Sequence, residues 1–151
     1  MMPGVDKKRP AMVIDASVAA AWYLPDEHSD WAEELLSQIL SGRVQAWVPD
    51  LWFWECSNIA VQAVRRQRLK AQDAKRALDI LDAVPVQVAN TETLEEILPA
   101  IHLAMEAGLT TYDAGYLYLA KKQKIALASF DKALVRAAQQ LKITLWTPVA
   151  Q

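Results

Sequence analysis

Ala11-Met12-Val13-Ile14-Asp15, read AMVID, sets large apolar side chains in a row and ends them on a carboxylate. A run this short and this apolar suits a strand buried on both faces. Strands of that kind belong to parallel sheets, in which each strand returns to the sheet through a crossover, usually a helix. The terminal acid matters as much as the run, because open α/β sheets bind ligands just beyond the carboxyl ends of their strands. Asp15 stands at that edge.

The rest of the chain keeps this rhythm. Gln45–Val48 (QAWV), Val86–Ala89, Ile125–Ser129 (IALAS) and Ile143–Trp146 read as further short strands. Between them lie helical periods. Val18–Tyr23 is halted by Pro25, and a second helix runs from the cap Ser29 to about Leu40, with Trp31, Leu35, Leu36 and Ile39 on one face and Gly42 ending it. Pro49 and Asp50 open a third that reaches about Gln67, and Ala71–Ala83 forms the fourth. Thr91 and Glu92 lead into Leu94–Ala107, with a perturbation expected at Pro99 and a C-cap at Gly108. Thr111 caps a helix over Tyr112–Gln123, and Asp131–Gln140 makes the last. The alternation predicts right-handed βαβ units and a mostly parallel five-stranded sheet with helices on both faces.

Bulk properties narrow the field. A chain of 151 residues, 53% of them hydrophobic, is one domain's worth and buries roughly 70% of its unfolded surface. Residues 1–10 (MMPGVDKKRP) are expected to be a mobile leader and 11–151 a single domain; no apolar signal core follows the basic residues. No apolar run approaches the roughly 20 residues of a membrane span. The lone Cys56 excludes an internal disulfide and suits a reducing, cytoplasmic setting. A net charge of −2 argues against a generally basic nucleic-acid-coating protein, while leaving local patches at Arg65-Arg66-Gln67-Arg68-Leu69-Lys70 and Lys121-Lys122-Gln123-Lys124.

Asp15 has company. Asp131 follows the fourth strand in Ser129-Phe130-Asp131, Asp113 starts the helix leading into that strand, and Glu55 lies early in the helix after the second strand. Singly, Asp15 reads as an N-cap, and Asp113 and Asp131 as first-turn acids facing helix dipoles. Glu55 fits neither role, for it follows Trp52-Phe53-Trp54 inside an apolar helix, where an unpaired charge is costly. Together, carboxylates at one sheet edge repel unless protonated or neutralised by cations. Hard divalent ions are the natural neutraliser, and without histidine or cysteine at ligand spacing the set favours Mg²⁺ or Mn²⁺ over zinc. Two such ions about 4 Å apart can orient a phosphodiester and activate a water.

Val13-Ile14-Asp15-Ala16-Ser17-Val18, Glu55-Cys56-Ser57-Asn58, LTTYDAGYLYLA at 109–120 and LASFDKAL at 127–134 resemble PIN-domain nucleases, in order and spacing, over about Met12 to Pro148. Within them the chain resembles the VapC-like toxins of type II toxin–antitoxin pairs. The resemblance implies an α/β/α sandwich, a Mg²⁺- or Mn²⁺-dependent endoribonuclease, an antitoxin partner and a homodimer. It maps the acidic set onto Asp15, Glu55, Asp113 and Asp131, with Asp15 and Asp113 as central ligands and the other two completing the sites directly or through water. Ser17 and Asn58 are candidate supporting groups. Ser129 stands where many members carry threonine, and the hydroxyl is kept.

Arg65, Arg66 and Arg68 are the candidate phosphate contacts. His28 and His102 have no partners nearby in sequence and read as ordinary surface residues. Trp52, Phe53 and Trp54 point about 100° apart, so at least one ring belongs to the core and another is left for RNA or a protein partner. A haloacid-dehalogenase-like phosphatase would want a second acid two residues after the first; Ser17 stands there. A receiver-type phosphoacceptor would want adjacent acids near the first strand. The remaining rival is a PIN-like protein that binds RNA or a partner without cutting.

Overall fold

The computed structural model describes residues 4–146, so 1–3 of the expected leader and 147–151 of the expected domain lie outside the described residues. Four parallel strands, β1 (Ala11–Ile14), β2 (Gln45–Pro49), β3 (Val86–Ala89) and β4 (Ala126–Ala128), pair in the order β3-β2-β1-β4. Among the described residues seven helices connect and cover them: α1 (Ala16–Tyr23), α2 (Asp30–Leu40), α3 (Leu51–Arg65), α4 (Ala71–Ala83), α5 (Leu94–Ala107), α6 (Thr111–Gln123) and α7 (Lys132–Gln140). A 3-10 turn at Pro25–Glu27 follows α1.

The strands alternate their side chains between two cores, as period-two geometry requires. Met12, Ile14, Ala46 and Ala128 meet Ala32, Leu35 and Ile39 of α2 on one face. Val13, Trp47 and Leu127 join Trp52, Cys56, Leu117 and Leu134 on the other. The result is the three-layer α/β/α arrangement that the alternation predicts, with β1 at the centre of the sheet. Trp22 Nε1 donates to the Ala32 carbonyl at 2.8 Å and Tyr23 Oη to the Cys56 carbonyl at 2.9 Å, so α1 is pinned to both α2 and α3.

The fifth strand is a correction. Ile143–Trp146 contributes a single parallel bridge, Leu127 to Leu145, made by Leu127 N to Thr144 O and Trp146 N to Leu127 O, each 2.8 Å. Among the described residues the segment meets the free edge of β4 at that one point and makes no ladder. Pro49 closes β2 instead of opening α3. Pro99 sits inside an unbroken α5; it is exposed, so the Glu95 carbonyl it leaves without a donor faces water. Within residues 4–10, Asp6 N donates to Gln45 Oε1 at 3.2 Å and Arg9 reaches the Gly42 carbonyl at 3.2 Å.

Loop chemistry then delivers the acids to one edge. Gly108, at φ 66°, ends α5 in the left-handed region, and Thr110 caps α6 by accepting from Asp113 N at 3.1 Å. The cap is Thr110, one residue before the Thr111 that spacing suggested.

Candidate active site

Asp15 is both the N-cap of α1 and the most enclosed of the acids, at 5% exposure. Its Oδ1 accepts from Ser17 Oγ at 2.6 Å, Ser17 N at 3.1 Å and Val18 N at 3.3 Å, while Oδ2 accepts from Ser129 Oγ at 2.5 Å. Each serine hydroxyl also receives a backbone donor: Phe130 N to Ser17 Oγ at 2.9 Å and Asp131 N to Ser129 Oγ at 3.0 Å. The end of β1 and the turn after β4 are thus stitched together through two hydroxyls. Burial pushes the Asp15 carboxyl up to about 6, against the Ser129, Ser17 and Val18 hydrogen bonds that favour its charge, and Asp131 adds repulsion.

Asp131 caps α7, its Oδ1 accepting from Leu134 N at 3.0 Å. Asp113, on the first turn of α6, is raised above the usual carboxylate range by burial and by Asp131. Glu55 enters from α3. Burial raises it to about 7, with Asp113 and Asp15 adding repulsion. The Tyr116 hydroxyl, one turn beyond Asp113, is close enough to favour the charged form of Glu55. Yet Glu55 Oε1 and Tyr116 Oη are both buried without a hydrogen bond of good geometry. Tyr116 has no role in the sequence reading, although its spacing of three from Asp113 puts the two on neighbouring positions of one helix face.

The four acids are linked pairwise by repulsion: Asp131 acts on Asp15 and on Asp113, while Asp113 and Asp15 act on Glu55. Among the described residues no lysine, arginine or histidine pairs with any of them. Clustered, unneutralised carboxylates with an orphaned buried oxygen are the donor set that a hard divalent cation fits. Mg²⁺ keeps several waters, so not every acid has to touch it. Among the described residues the group of three whose ligand atoms all lie within 4.8 Å of one another is elsewhere, at His28, Asp30 and Glu33 near the start of α2, and no three of the four acids come that close. That trio is exposed throughout, and His28, read from sequence as having no partner nearby, lies 3.0 Å from Asp30 two residues on.

The other expected residues separate. Ser17 and Ser129 hold Asp15, as described. Asn58 is exposed one turn past Glu55, and among the described residues its amide bonds none of the acids. Arg65 and Arg66 are exposed at the end of α3. Arg68 is engaged with Asp26 at 2.7 and 3.0 Å and with Glu27 at 2.8 Å, tying the end of the α3 segment to the 3-10 turn. The aromatic run divides by direction: Trp52 is fully buried, Phe53 meets it edge-on at 5.2 Å, and Trp54 is 82% exposed. Trp52 thereby anchors the helix that carries Glu55, worth on the order of 3 kcal/mol for a large buried ring.

The PIN domain family profile matches residues 12–140. Ribonuclease VapC3 of Pyrobaculum aerophilum is 32% identical over 123 residues, which span 82% of this chain and 91% of that protein. Among solved structures, PAE2754 of Pyrobaculum aerophilum superposes with a TM-score of 0.65 at 22% identity, covering 91% of this chain and 88% of its own. FitAcB of Neisseria gonorrhoeae gives a TM-score of 0.63 at 15% identity, covering 93% and 99%. These two structures establish likeness of fold.

Proposed function

The chain belongs to the PIN domain family, and from that premise we propose that it is a Mg²⁺- or Mn²⁺-dependent endoribonuclease, the toxin of a VapBC-like pair. The observation that supports this reading is four carboxylates linked pairwise by repulsion, with no cationic partner among the described residues and one of them carrying a buried, unpaired oxygen. Asp15, Glu55, Asp113 and Asp131 would hold the metal. Bound there, a divalent ion supplies neutralising charge for the phosphodiester and a water acidic enough to attack it at neutral pH.

The chain's own contribution is orientation. Asp15 is fixed by backbone and hydroxyl donors on both oxygens, so its remaining lone pairs face set directions. Asp131 spends Oδ1 on Leu134 N, and Oδ2 makes no hydrogen bond among the described residues. Glu55 is buried beside the charges of Asp113 and Asp15, and Asp113 is buried beside that of Asp131, so both hold protons more readily than ordinary carboxylates. Arg65 and Arg66 supply cations for the RNA backbone at the far end of α3.

The same reading gives the protein a cytoplasmic place, a cognate antitoxin that covers the acids, and a homodimeric state. No helix among the described residues is long and apolar enough to cross a membrane. Purified, antitoxin-free protein should cut total RNA with Mn²⁺ or Mg²⁺, lose that activity to a chelator, and lose it in Asp113→Asn. Metal-independent cleavage, or RNA binding with no cleavage under any divalent ion, would replace this reading with that of a PIN-like binding protein.

A further inference from the structure

Glu55, Asp113 and Asp131 are each preceded in the chain by an exposed aromatic: Trp54 at 82% exposure, Tyr112 at 67% and Phe130 at 45%. Of the three, Phe130 has a built position. Its backbone N–H donates to Ser17 Oγ, the same hydroxyl that donates to Asp15 Oδ1 at 2.6 Å, so its Cα is tied to the acids. Its ring rests on Trp31 of α2 with centroids 5.0 Å apart and planes at 58°. Trp31 is backed in turn by Trp146 at 4.8 Å. No aromatic ring rests on Trp54 or Tyr112 among the described residues.

A ring held at both backbone and face, yet left nearly half open beside Asp131, presents a fixed apolar surface where a polymer would pass. We propose that Phe130, backed by Trp31, is the stacking platform for one unpaired base of the RNA next to the phosphate addressed by the acids. The proposal rests on the ribonuclease reading and adds a substrate class to it. Every base has a π face, so a lone phenylalanine ring accepts any of them, whereas a base-paired nucleotide already uses its faces within the duplex. The platform therefore selects single-stranded RNA, with little preference of its own for sequence.

Two measurements on the full chain test this. The first is anisotropy of a labelled, short, mixed-sequence single-stranded RNA, with Ca²⁺ replacing the activating ion; the second is steady-state cleavage with Mn²⁺. Phe130→Ala should lose about 5- to 100-fold in affinity, as expected for one stacked base, with KM raised and kcat kept. Phe130→Trp should restore both, and Leu40→Ala, a distant exposed apolar residue on α2, should change neither. Affinity for a duplex competitor should be the same in parent and Phe130→Ala. Parent that binds and cuts, with Phe130→Ala binding as tightly, overturns the platform alone. Parent that neither binds nor cuts overturns the platform and the ribonuclease reading together.

Discussion

Ser129 Oγ donates to Asp15 Oδ2 at 2.5 Å across a sequence separation of 114, joining the turn after β4 to the end of β1. This bond is the main hydrogen-bonding influence favouring the charged form of Asp15, opposing the burial that raises it. Ser129→Ala should therefore push the Asp15 carboxyl above its present value of about 6 and move the acid limb of the activity profile to higher pH. Hydrogen bonds to charged groups are worth about 1.5–3 kcal/mol, so a metal-affinity loss of roughly tenfold or more is expected. Ser129→Thr should behave as the parent, since only the hydroxyl is used. A pH–rate profile of the three proteins decides it; an unchanged acid limb in the alanine variant would count against the assignment.

Acidity and stability should be linked with an unusual sign. Asp15 and Glu55 have folded values, about 6 and about 7, above their unfolded ones, so both bind protons more tightly when folded. Their contribution is fully present below about pH 4 and lost as pH rises through 6 to 7. For enclosed Asp15 alone this amounts to on the order of 2–3 kcal/mol. Metal-free protein should thus melt at a higher temperature near pH 5 than near pH 7.5, by several degrees. Mn²⁺ should restore the difference at the higher pH, because it binds the folded, deprotonated site. Calorimetric melting curves with and without chelator test both halves; a metal-free protein most stable near pH 7.5 would contradict them.

Glu55→Gln separates stability from function. The amide keeps the shape while removing a charge that burial, Asp113 and Asp15 all oppose. The variant should be more stable than the metal-free parent near pH 7.5, yet bind Mn²⁺ at least about tenfold more weakly. Thermal melting beside metal titration reads the two effects. Loss of stability with affinity intact would indicate that Glu55 is structural.

The arginines near the end of α3 should divide by partner. Arg66→Ala should weaken RNA binding and reduce the slope of log affinity against log salt by about 1, as for one lost phosphate contact. Arg68→Ala should leave the slope unchanged and instead lower thermal stability, because its guanidinium is held by Asp26 and Glu27. A salt series on both variants checks this, and equal slopes in the two would refute the division.

Much of the architecture is visible in one-dimensional pattern because it depends on local physics. AMVID and QAWV are apolar throughout since their strands are covered on both faces. Asp15 and Asp131 were legible as candidates because capping and sheet topology put acids just after strand ends, and Asp113 because it is a first-turn acid of α6. Glu55 stood out for the opposite reason, as a carboxylate that local rules could not explain. Relations between distant segments were hidden. Arg68 meets Asp26 and Glu27 at separations of 42 and 41, and no spacing rule announces that meeting. That Ile143–Trp146 meets β4 at one bridge only is likewise a relation between separate segments. Phe130 lay in plain sight within SFD, but its placement follows from Ser17, 113 residues away, and from Trp31, almost as far.

The central claim is that Asp15, Glu55, Asp113 and Asp131 form one divalent-metal centre, and calorimetric titration of Mn²⁺ into the purified protein tests it most directly. Saturable binding is predicted in the parent and in Asp30→Asn, which removes the exposed trio at His28, Asp30 and Glu33. Proton release should accompany binding near pH 6.5, between the raised values of Asp15 and Glu55. Asp113→Asn should abolish the isotherm. Undiminished binding in Asp113→Asn, or binding that disappears only in Asp30→Asn, would contradict the account.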